Sequence, residues 1–402
     1  MNTKKHLPFA EFVVLMAMLT SVIPLAIDGM LPAFPNIGHT LRVESSEQLQ
    51  LIVAVLFLGF GFGQLLFGPL SDVLGRKTPI YIGLVVFMVG SVTAGFAQSY
   101  EIFLLGRFLQ GFGGASPRIV SLALIRDEYS GNAMAKITSL VMTVFILVPA
   151  VAPALGQGIL LFAGWRQIFI LLFGMSLFVF IWFGVRQHET LVRSQRKPLS
   201  MKTIRSGVKE TFSQSITVRC MIVSGLVFGI FVAYLGSVQG IFSNLFSVTE
   251  QFPLYFAMLA LSIGLASFFN SRLVMRLGMR RLIFFAFLSM AVLSNVFVIY
   301  LYTSDIHTPP LWLFMGYLSP VFFTVGFLFG NLNALAMSPL GHVAGIGSAL
   351  LGCVQSTLSV VIGVILGRFF HDSIIPLVLS FATISLLGMM ILGPGMTKNQ
   401  NI

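Results

Sequence analysis

The sequence predicts an all-α integral membrane protein with twelve transmembrane helices. Of its 402 residues, 56% are hydrophobic and only 9% are charged, and the mean hydropathy is +0.95. Globular proteins carry roughly a quarter charged residues, so this chain has too few ionised groups to coat a water-exposed surface. Apolar runs of about twenty residues recur without strict alternation, and such runs satisfy their backbone hydrogen bonds in hydrocarbon as helices.

Twelve apolar runs, separated by charged residues or by proline and glycine, define the predicted helices. Six lie in the first half of the chain, and a polar stretch separates them from six more. This organisation predicts an N-terminal six-helix bundle at 1–186, a cytoplasmic linker at 187–217 and a C-terminal six-helix bundle at 218–402. The predicted spans are 9–35, 49–70, 78–97, 101–124, 136–160, 166–186, 218–241, 253–275, 281–302, 311–337, 344–368 and 374–396.

The net charge of +11 follows the predicted membrane topology. With the N-terminus in the cytoplasm, nineteen of the 24 lysines and arginines fall on the cytoplasmic side and three on the outer side, as the positive-inside rule requires. We therefore expect a multi-pass protein of the cytoplasmic (inner) membrane with both termini inside. Its expected partners are lipid, protons and a small-molecule substrate, with no nucleic acid, and we expect a monomer. The cytoplasmic cations include Lys4, Lys5, Lys197 and Lys398.

The loop after the second predicted helix carries the strongest local motif. Residues 68–77 read G-P-L-S-D-V-L-G-R-K, and a related basic loop follows the eighth predicted helix, half a chain later. Gly75 permits a tight turn, Gly68 lets the helix approach a neighbour, and Asp72 can bind a basic partner in one conformational state only. A plain basic loop that sets topology is the alternative.

This stretch resembles the G-x-L-x-D-x-x-G-R-K signature of the major facilitator superfamily, and every fixed position is matched through Arg76 and Lys77. The resemblance implies two pseudo-symmetric six-helix bundles that expose a central site alternately to the two sides of the membrane. It also implies that residues 68–77 form a cytoplasmic gate.

The fourth predicted helix contains an arginine inside an apolar run. Arg107, Gln110 and Gly111 form an R-x-x-Q-G pattern, which resembles a motif of the superfamily's proton antiporters. An arginine in hydrocarbon costs several kcal/mol unless it faces a partner or water. A hydrogen-bonding strut and snorkelling to the outer surface are the alternatives. Arg118 lies two to three turns further inward, and we expect it to reach the cytoplasmic vestibule.

The fifth predicted helix resembles the exporter motif g-x-x-x-G-P-x-x-G-G imperfectly. Pro149, Pro153 and Gly156 are in place, whereas Ala152 and Gln157 stand where glycines are usual. Proline and small residues favour a bent helix in close contact with its partner. The departures leave two alternatives open, a purely structural kink and an uptake transporter.

Asp28 is the only carboxylate that we place well inside the membrane. Burial in hydrocarbon disfavours the charged form, and a nearby Arg107 favours it, so the group can be poised to gain and lose a proton. We predict that Asp28 and Arg107 form the proton-coupling site. The alternative is an acid at the outer water boundary that caps a helix broken near Pro32.

The superfamily plan implies that the first, fourth, seventh and tenth helices line the substrate cavity. On that plan we expect the cavity to be lined by Asp28, Gln110, Phe231, Tyr234 and Asn331. For each polar residue of this set, a hydrogen bond between helices is the alternative to substrate contact.

Two further stretches narrow the resemblance. The I-R-D sequence at 125–127 and residues 336–350 resemble the bicyclomycin/chloramphenicol-resistance (Bcr/CflA) group of twelve-helix drug:proton antiporters. This implies proton-coupled export of small amphiphilic molecules. The alternatives are an uptake symporter or facilitator, and a receptor or scaffold that transports nothing. His342 falls on the cytoplasmic side, where we expect it in a loop or gate.

Enzymatic chemistry has no candidate residues. Residues 75–78 read G-R-K-T and interrupt the G-K-[ST] end of a phosphate-binding loop. The six histidines are scattered, and neither a clustered nucleophile nor a Cys/His metal set occurs. We therefore expect no enzyme, no cofactor and no metal site.

Overall fold

The structure is a computed structural model of the chain, and its described residues are helical along most of their length. Eleven of its helices are long and apolar enough to cross a membrane. A further helix, Tyr100–Glu128, has 29 residues, but Arg107 and Arg118 lower its hydropathy. These helices confirm the predicted fold class. The described residues are 7–43, 45–196, 201–304, 308–369 and 373–393, which leaves out the predicted cytoplasmic cations Lys4, Lys5, Lys197 and Lys398.

We number the twelve long helices α1 to α12 in chain order. Two shorter helices, Phe34–Leu41 and Met201–Ser213, are not numbered, and the second of these lies in the predicted linker. The long helices are α1 (Phe9–Asp28), α2 (Ser46–Leu74), α3 (Lys77–Gly95), α4 (Tyr100–Glu128), α5 (Gly131–Phe162), α6 (Arg166–Arg186), α7 (Ser215–Gly240), α8 (Phe252–Leu277), α9 (Met279–Thr303), α10 (Leu311–Met337), α11 (Ala344–Gly367) and α12 (Ile375–Leu392).

The chain separates into two compact units. The first contains Met1–Val43 and Val55–Ile204, and the second contains Glu44–Ala54 and Arg205–Ile402. The start of α2 therefore groups with the second unit, and the rest of α2 groups with the first. The domain division drawn from the sequence remains a prediction.

The first predicted span is broken in the structure. α1 ends at Asp28 and is followed by a 3-10 turn, Leu31–Ala33, and the short helix Phe34–Leu41. Pro32 and Pro35 are the second residues of these two pieces, in the first turn, where proline is tolerated because its missing N–H would have no partner in the helix. The break makes Asp28 the last residue of α1.

Helix α4 packs closely on α2 and α3 in the first unit because small residues line the contacts. Gly59 and Gly63 of α2 face the backbone of α4: a Cβ atom at these positions would lie 3.0 Å from the Phe108 carbonyl carbon and 3.2 Å from the Phe112 carbonyl carbon. On the other side, a Cβ atom at Gly90 would lie 2.6 Å from the backbone nitrogen of Gln110. Such close contacts hold α4 at a fixed depth between its neighbours.

In the second unit, α7 packs against α10, α11 and α12, while α10 also contacts α8 and α9. Aromatic rings fill much of the space between α7 and α10. Small residues of α7 also allow α11 to pack closely against it. These contacts fix the positions of the polar groups of α7 and α10 that are described below.

Candidate functional site

Asp28 is buried at the end of α1, with 5% of its surface exposed. Within the described residues, no hydrogen bond or ion pair engages its carboxylate. The C-terminal end of a helix carries partial negative charge, which makes this a poor place for a permanent negative charge.

Arg107 is fully buried and reaches α1 beside Asp28. Its Nη1 nitrogen donates a hydrogen bond of 3.0 Å to the carbonyl oxygen of Ala26, two residues before Asp28. The same nitrogen donates a hydrogen bond of 2.7 Å to Oε1 of Gln110 on its own helix. Arg107 therefore binds the backbone of α1 and not the Asp28 carboxylate itself.

Gln110 continues this polar chain to a third helix. Its Nε2 nitrogen donates to the Ser91 hydroxyl of α3 at 2.9 Å, and that hydroxyl donates to the carbonyl oxygen of Phe87 at 2.9 Å. Both ends of the Gln110 amide are thus occupied by protein groups. Ser91 did not stand out in the sequence, although a hydroxyl inside an apolar helix near an R-x-x-Q-G motif is a usable signal.

The fifth-helix motif meets the same end of α1. Pro149 and Pro153 lie inside α5, which continues through both of them. A Cβ atom at Gly156 would overlap the carbonyl oxygen of Gly29 and would lie 2.9 Å from its carbonyl carbon. Gly156 therefore packs directly on the residue that follows Asp28. In this way α4 and α5 both contact the last turn of α1.

The gate motif forms an ionic cluster at the other end of the first unit. Arg76 is 4% exposed and binds Asp72 through Nη1 and Asp127 through Nε, each at 2.7 Å. Burial lowers the pKa of Arg76, but its hydrogen bonds to Asp127 and Asp72 outweigh that effect and raise the pKa above its usual value. Arg76 thus stays charged and links α2 to α4. In the same motif, the Gly68 carbonyl accepts a hydrogen bond from the Ser71 hydroxyl.

A carboxylate from the segment after α6 binds the start of α3. Glu189 accepts hydrogen bonds from the backbone nitrogens of Arg76 at 2.8 Å and Lys77 at 3.1 Å. Gly75 has φ +96°, a left-handed conformation that favours glycine, and a Cβ atom there would lie 2.6 Å from Oε2 of Glu189. The Lys77 ammonium donates to the carbonyl oxygen of Gln187 at 2.6 Å. Glu189 was missed in the sequence, where it is one polar residue among many.

The predicted cavity residues of the second unit lie in an aromatic cluster. The ring of Phe231 contacts Phe228 and Phe329, with centroids 5.9 and 6.0 Å apart. The ring of Tyr234 is fully buried and lies 4.9 Å from Phe322. Phe228, Phe231 and Phe329 are partly exposed and form one aromatic surface across α7 and α10.

Asn331 is bound between two helices. It is 2% exposed, and its Nδ2 nitrogen donates to Oδ1 of Asn270 on α8 at 2.6 Å and to the carbonyl oxygen of Phe327 at 2.9 Å. The hydrogen bond between helices, which is the alternative to substrate contact, is therefore present. Asn270 was not singled out in the sequence.

Two further residues of interest lie away from these groups. Arg118 is partly exposed, and its guanidinium lies 4.0 Å from the centroid of the Phe145 ring on α5. The backbone of His342 belongs to the 3-10 turn Ser338–Val343, but its side chain lies outside the described part of the structure.

Comparison with known proteins gives a family match over most of the chain. The model of the Major Facilitator Superfamily matches residues 15–364. The Bicyclomycin resistance protein homolog of Haemophilus influenzae is 29% identical over 372 residues, which cover 91% of each chain. The Uncharacterized MFS-type transporter YdgK of Bacillus subtilis is 30% identical over 88% of this chain and 87% of its own. The Multidrug resistance protein MdtL of Shewanella oneidensis is 27% identical over 94% of this chain and 95% of its own.

Solved structures share the fold. The D-xylose-proton symporter superposes with a TM-score of 0.75 at 15% identity, over 95% of this chain and 97% of its own. The human organic anion transporter MFSD10 superposes with a TM-score of 0.68 at 14% identity, over 96% of this chain and all of its own. At such low identity the likeness concerns the fold alone.

Proposed function

Because this chain belongs to the Major Facilitator Superfamily, we propose that it is an inner-membrane transporter that exports small amphiphilic molecules in exchange for protons. Relatives named for resistance to bicyclomycin and to multiple drugs match it over most of their length, which supports export as the direction. Both termini lie in the cytoplasm in this proposal, and the chain works as a monomer in lipid.

The observation that carries the proposal is the convergence of two antiporter-like motifs on Asp28. Arg107 binds the backbone two residues before this carboxylate, and Gly156 packs on the residue after it. No comparable acid occurs in the second unit: the described helices α7 to α12 contain no Asp or Glu, and their arginines lie near the helix ends. The first unit therefore handles the proton, and the aromatic surface around Phe231 contacts the cargo.

The mechanism follows from exchange at one buried acid. In the state open to the outside, Asp28 takes up a proton; in the state open to the cytoplasm, it releases the proton and cargo binds. Because Arg107 is fixed to the α1 backbone, it supplies positive charge near the carboxylate in both states. The Arg76 cluster, with Asp72 and Asp127, holds the predicted cytoplasmic ends of α2 and α4 and is the part that rearranges as the cytoplasmic side closes.

The energetics restrict the cargo. One proton that moves inward yields about 2.3 kcal/mol per 100 mV, which supports roughly fiftyfold accumulation of a neutral solute outside. A dication exchanged for one proton would move net positive charge out against the potential. The exchange therefore suits neutral or singly charged molecules.

The test is transport by the purified chain in lipid vesicles with an imposed pH gradient. Labelled bicyclomycin is the first probe, followed by a panel of neutral amphiphiles. We expect the wild type to accumulate probe against its gradient, and Asp28→Asn to lose this while it still exchanges labelled for unlabelled probe. The control is Glu101→Gln, which removes an exposed carboxylate at the start of α4 and should leave both activities unchanged.

Each result bears on a different part of the proposal. Undiminished gradient-driven pumping by Asp28→Asn would remove this carboxylate from proton coupling. Probe movement in the same direction as the protons would instead make the chain an uptake symporter. If no probe of the panel moves, with or without a gradient, the receptor or scaffold alternative takes its place.

A further inference from the structure

Arg118 lies on the same face of α4 as Arg107 but nearer the predicted cytoplasmic end. The two residues are eleven positions apart, and because a helix turns 100° per residue, they lie within about 20° of each other and about 16 Å apart along the axis. Arg107 is held by the α1 backbone, whereas Arg118 contacts α5 through the face of Phe145. The proposed proton exchange makes no use of Arg118.

The guanidinium of Arg118 lacks an anion in the described chain. Its Nη1 nitrogen is buried without a hydrogen-bond partner, and no ion pair reaches it from the residues that the structure describes. The nearest acids along α4 are taken, since Asp127 binds Arg76 and Glu128 binds His188 at 3.2 Å. An arginine inside a membrane is costly unless it meets water or an anion. The residue is partly exposed, whereas the Nη1 nitrogen itself is covered by protein atoms, so a ligand meets this nitrogen only after the side chain or its neighbours move.

The balance of charge inside the membrane points the same way. In the described helices of the first unit, the charged residues that we place inside the membrane are two arginines within α4, Arg107 and Arg118, and one acid, Asp28, at the end of α1. The helices that the structure describes in the second unit add no charge at comparable depth. The interior is thus positive, and more so whenever Asp28 carries a proton, which disfavours a cationic ligand and favours an anionic one.

We propose that Arg118 binds an anionic group of the cargo, such as a carboxylate, phosphate or sulfonate, so that the exporter prefers anionic amphiphiles to cationic ones. A planar guanidinium can donate two parallel N–H bonds to such a group, and the Phe145 ring lies 4.0 Å from the guanidinium of Arg118. This inference rests on the proposed export function. Export of an anion in exchange for an inward proton also moves both charges in the direction that the membrane potential favours.

The test uses three naphthalene probes of permanent and different charge: naphthalene-1-sulfonate, naphthalene-1-sulfonamide and 1-naphthyltrimethylammonium. Equilibrium binding is measured on the purified full chain in detergent. Because hydrogen bonds between charged groups are stronger than neutral ones, we expect the wild type to bind the sulfonate about tenfold more tightly than the sulfonamide. The trimethylammonium probe should bind most weakly.

Arg118→Gln should reduce the ratio of sulfonate to sulfonamide affinity to about one. Arg118→Lys keeps the positive charge but lacks the planar guanidinium, so it should retain part of the preference for the sulfonate. Because the lysine variant leaves a cation in place, it keeps the test usable if the glutamine variant fails to fold. The matched control is Arg193→Gln, which removes an exposed cation from the turn after α6 and should keep the wild-type ratio.

An unchanged affinity ratio in Arg118→Gln would overturn the proposal, and so would a wild type that binds the cationic probe best. A lipid phosphate is the competing anion, so binding is repeated in phosphatidylcholine vesicles with and without phosphatidylglycerol. If phosphatidylglycerol displaces the sulfonate from the wild type, Arg118 is a lipid site and the assignment to cargo is wrong. Failure of the export proposal is recognised separately, in the vesicle transport assay described above. In that case collapse of the pH gradient would not change the movement of any probe.

Discussion

Gly156→Ala tests whether contact between α5 and the end of α1 is needed for coupled transport. Gly156 lies against Gly29, the residue after the proposed proton carrier, and it is buried. The same helix offers a matched control two residues later. A Cβ atom at Gly158 would meet nothing within 4 Å, so Gly158→Ala makes the same chemical change without the contact.

The expected cost follows from the distances. The new methyl carbon at Gly156 would lie 2.9 Å from the Gly29 carbonyl carbon, whereas nonbonded carbons prefer about 3.5–4.0 Å. Both helices present backbone at this point, so no side-chain rotation can relieve the overlap, and they must part by roughly 0.6–1 Å. Overpacking of this kind costs about 1–3 kcal/mol, partly offset by about 1 kcal/mol from replacing glycine with alanine in a helix.

Two measurements check the reasoning. Thermal unfolding in detergent should show Gly156→Ala to be less stable than Gly158→Ala by about 1–3 kcal/mol, because the gain from replacing glycine in a helix is common to both variants. Gradient-driven export of labelled bicyclomycin should fall at least about tenfold in Gly156→Ala, because a displacement of 1 Å at a functional group can cost two orders of magnitude in rate. If the two variants unfold alike and pump alike, the α1–α5 contact has no role in coupling.

Two further predictions concern the other groups. Glu189→Gln should lower stability by about 0.5–2 kcal/mol in thermal unfolding, because it weakens two hydrogen bonds to backbone N–H groups at the start of α3. A variant as stable as the wild type would contradict this role. Phe231→Ala should weaken binding of naphthalene-1-sulfonamide about fivefold, because an aromatic contact contributes about 1 kcal/mol. The control is Phe285→Ala, on the exposed face of α9, which should leave this binding unchanged. Unchanged binding in Phe231→Ala would show that the aromatic surface does not contact the cargo.

The sequence alone was enough to single out residues whose type is unusual inside an apolar helix. Asp28 and Arg107 stand out because ionised groups are rare in hydrocarbon, and each is buried inside the first unit. The contact between α2 and α4 also has a signal in the sequence, since Gly59 and Gly63 form a G-x-x-x-G pattern. In these cases the residue type alone strongly affects the free energy of the helix in its apolar surroundings, so no knowledge of the fold is needed.

Partners that depend on the path of the chain could not be predicted. Glu189 binds the start of α3 from a segment more than a hundred residues away, and its polar surroundings give it no distinguishing pattern. Spacing places Asn331 on a face of its helix, but the identity of its partner, Asn270, depends on the crossing of α10 and α8. Helical periodicity gives the direction of a side chain and leaves its neighbour undetermined.

The break at the end of α1 explains why Arg107 lies where it does. In a continuous helix the Ala26 carbonyl would accept a hydrogen bond from the N–H of Met30, but that N–H donates instead to Ile27, at 3.4 Å. The last carbonyls of a helix need other donors, and Arg107 supplies one to Ala26.

Because this hydrogen bond goes to the backbone, Asp28 can change its charge without breaking it. The proposed proton exchange therefore leaves the link between α1 and α4 intact. Its effect must instead reach the rest of the molecule through the position of the α1 end itself, whose other close neighbour is Gly156. For that reason a glycine that carries no functional group is expected to be as sensitive to substitution as the ionised residues beside it.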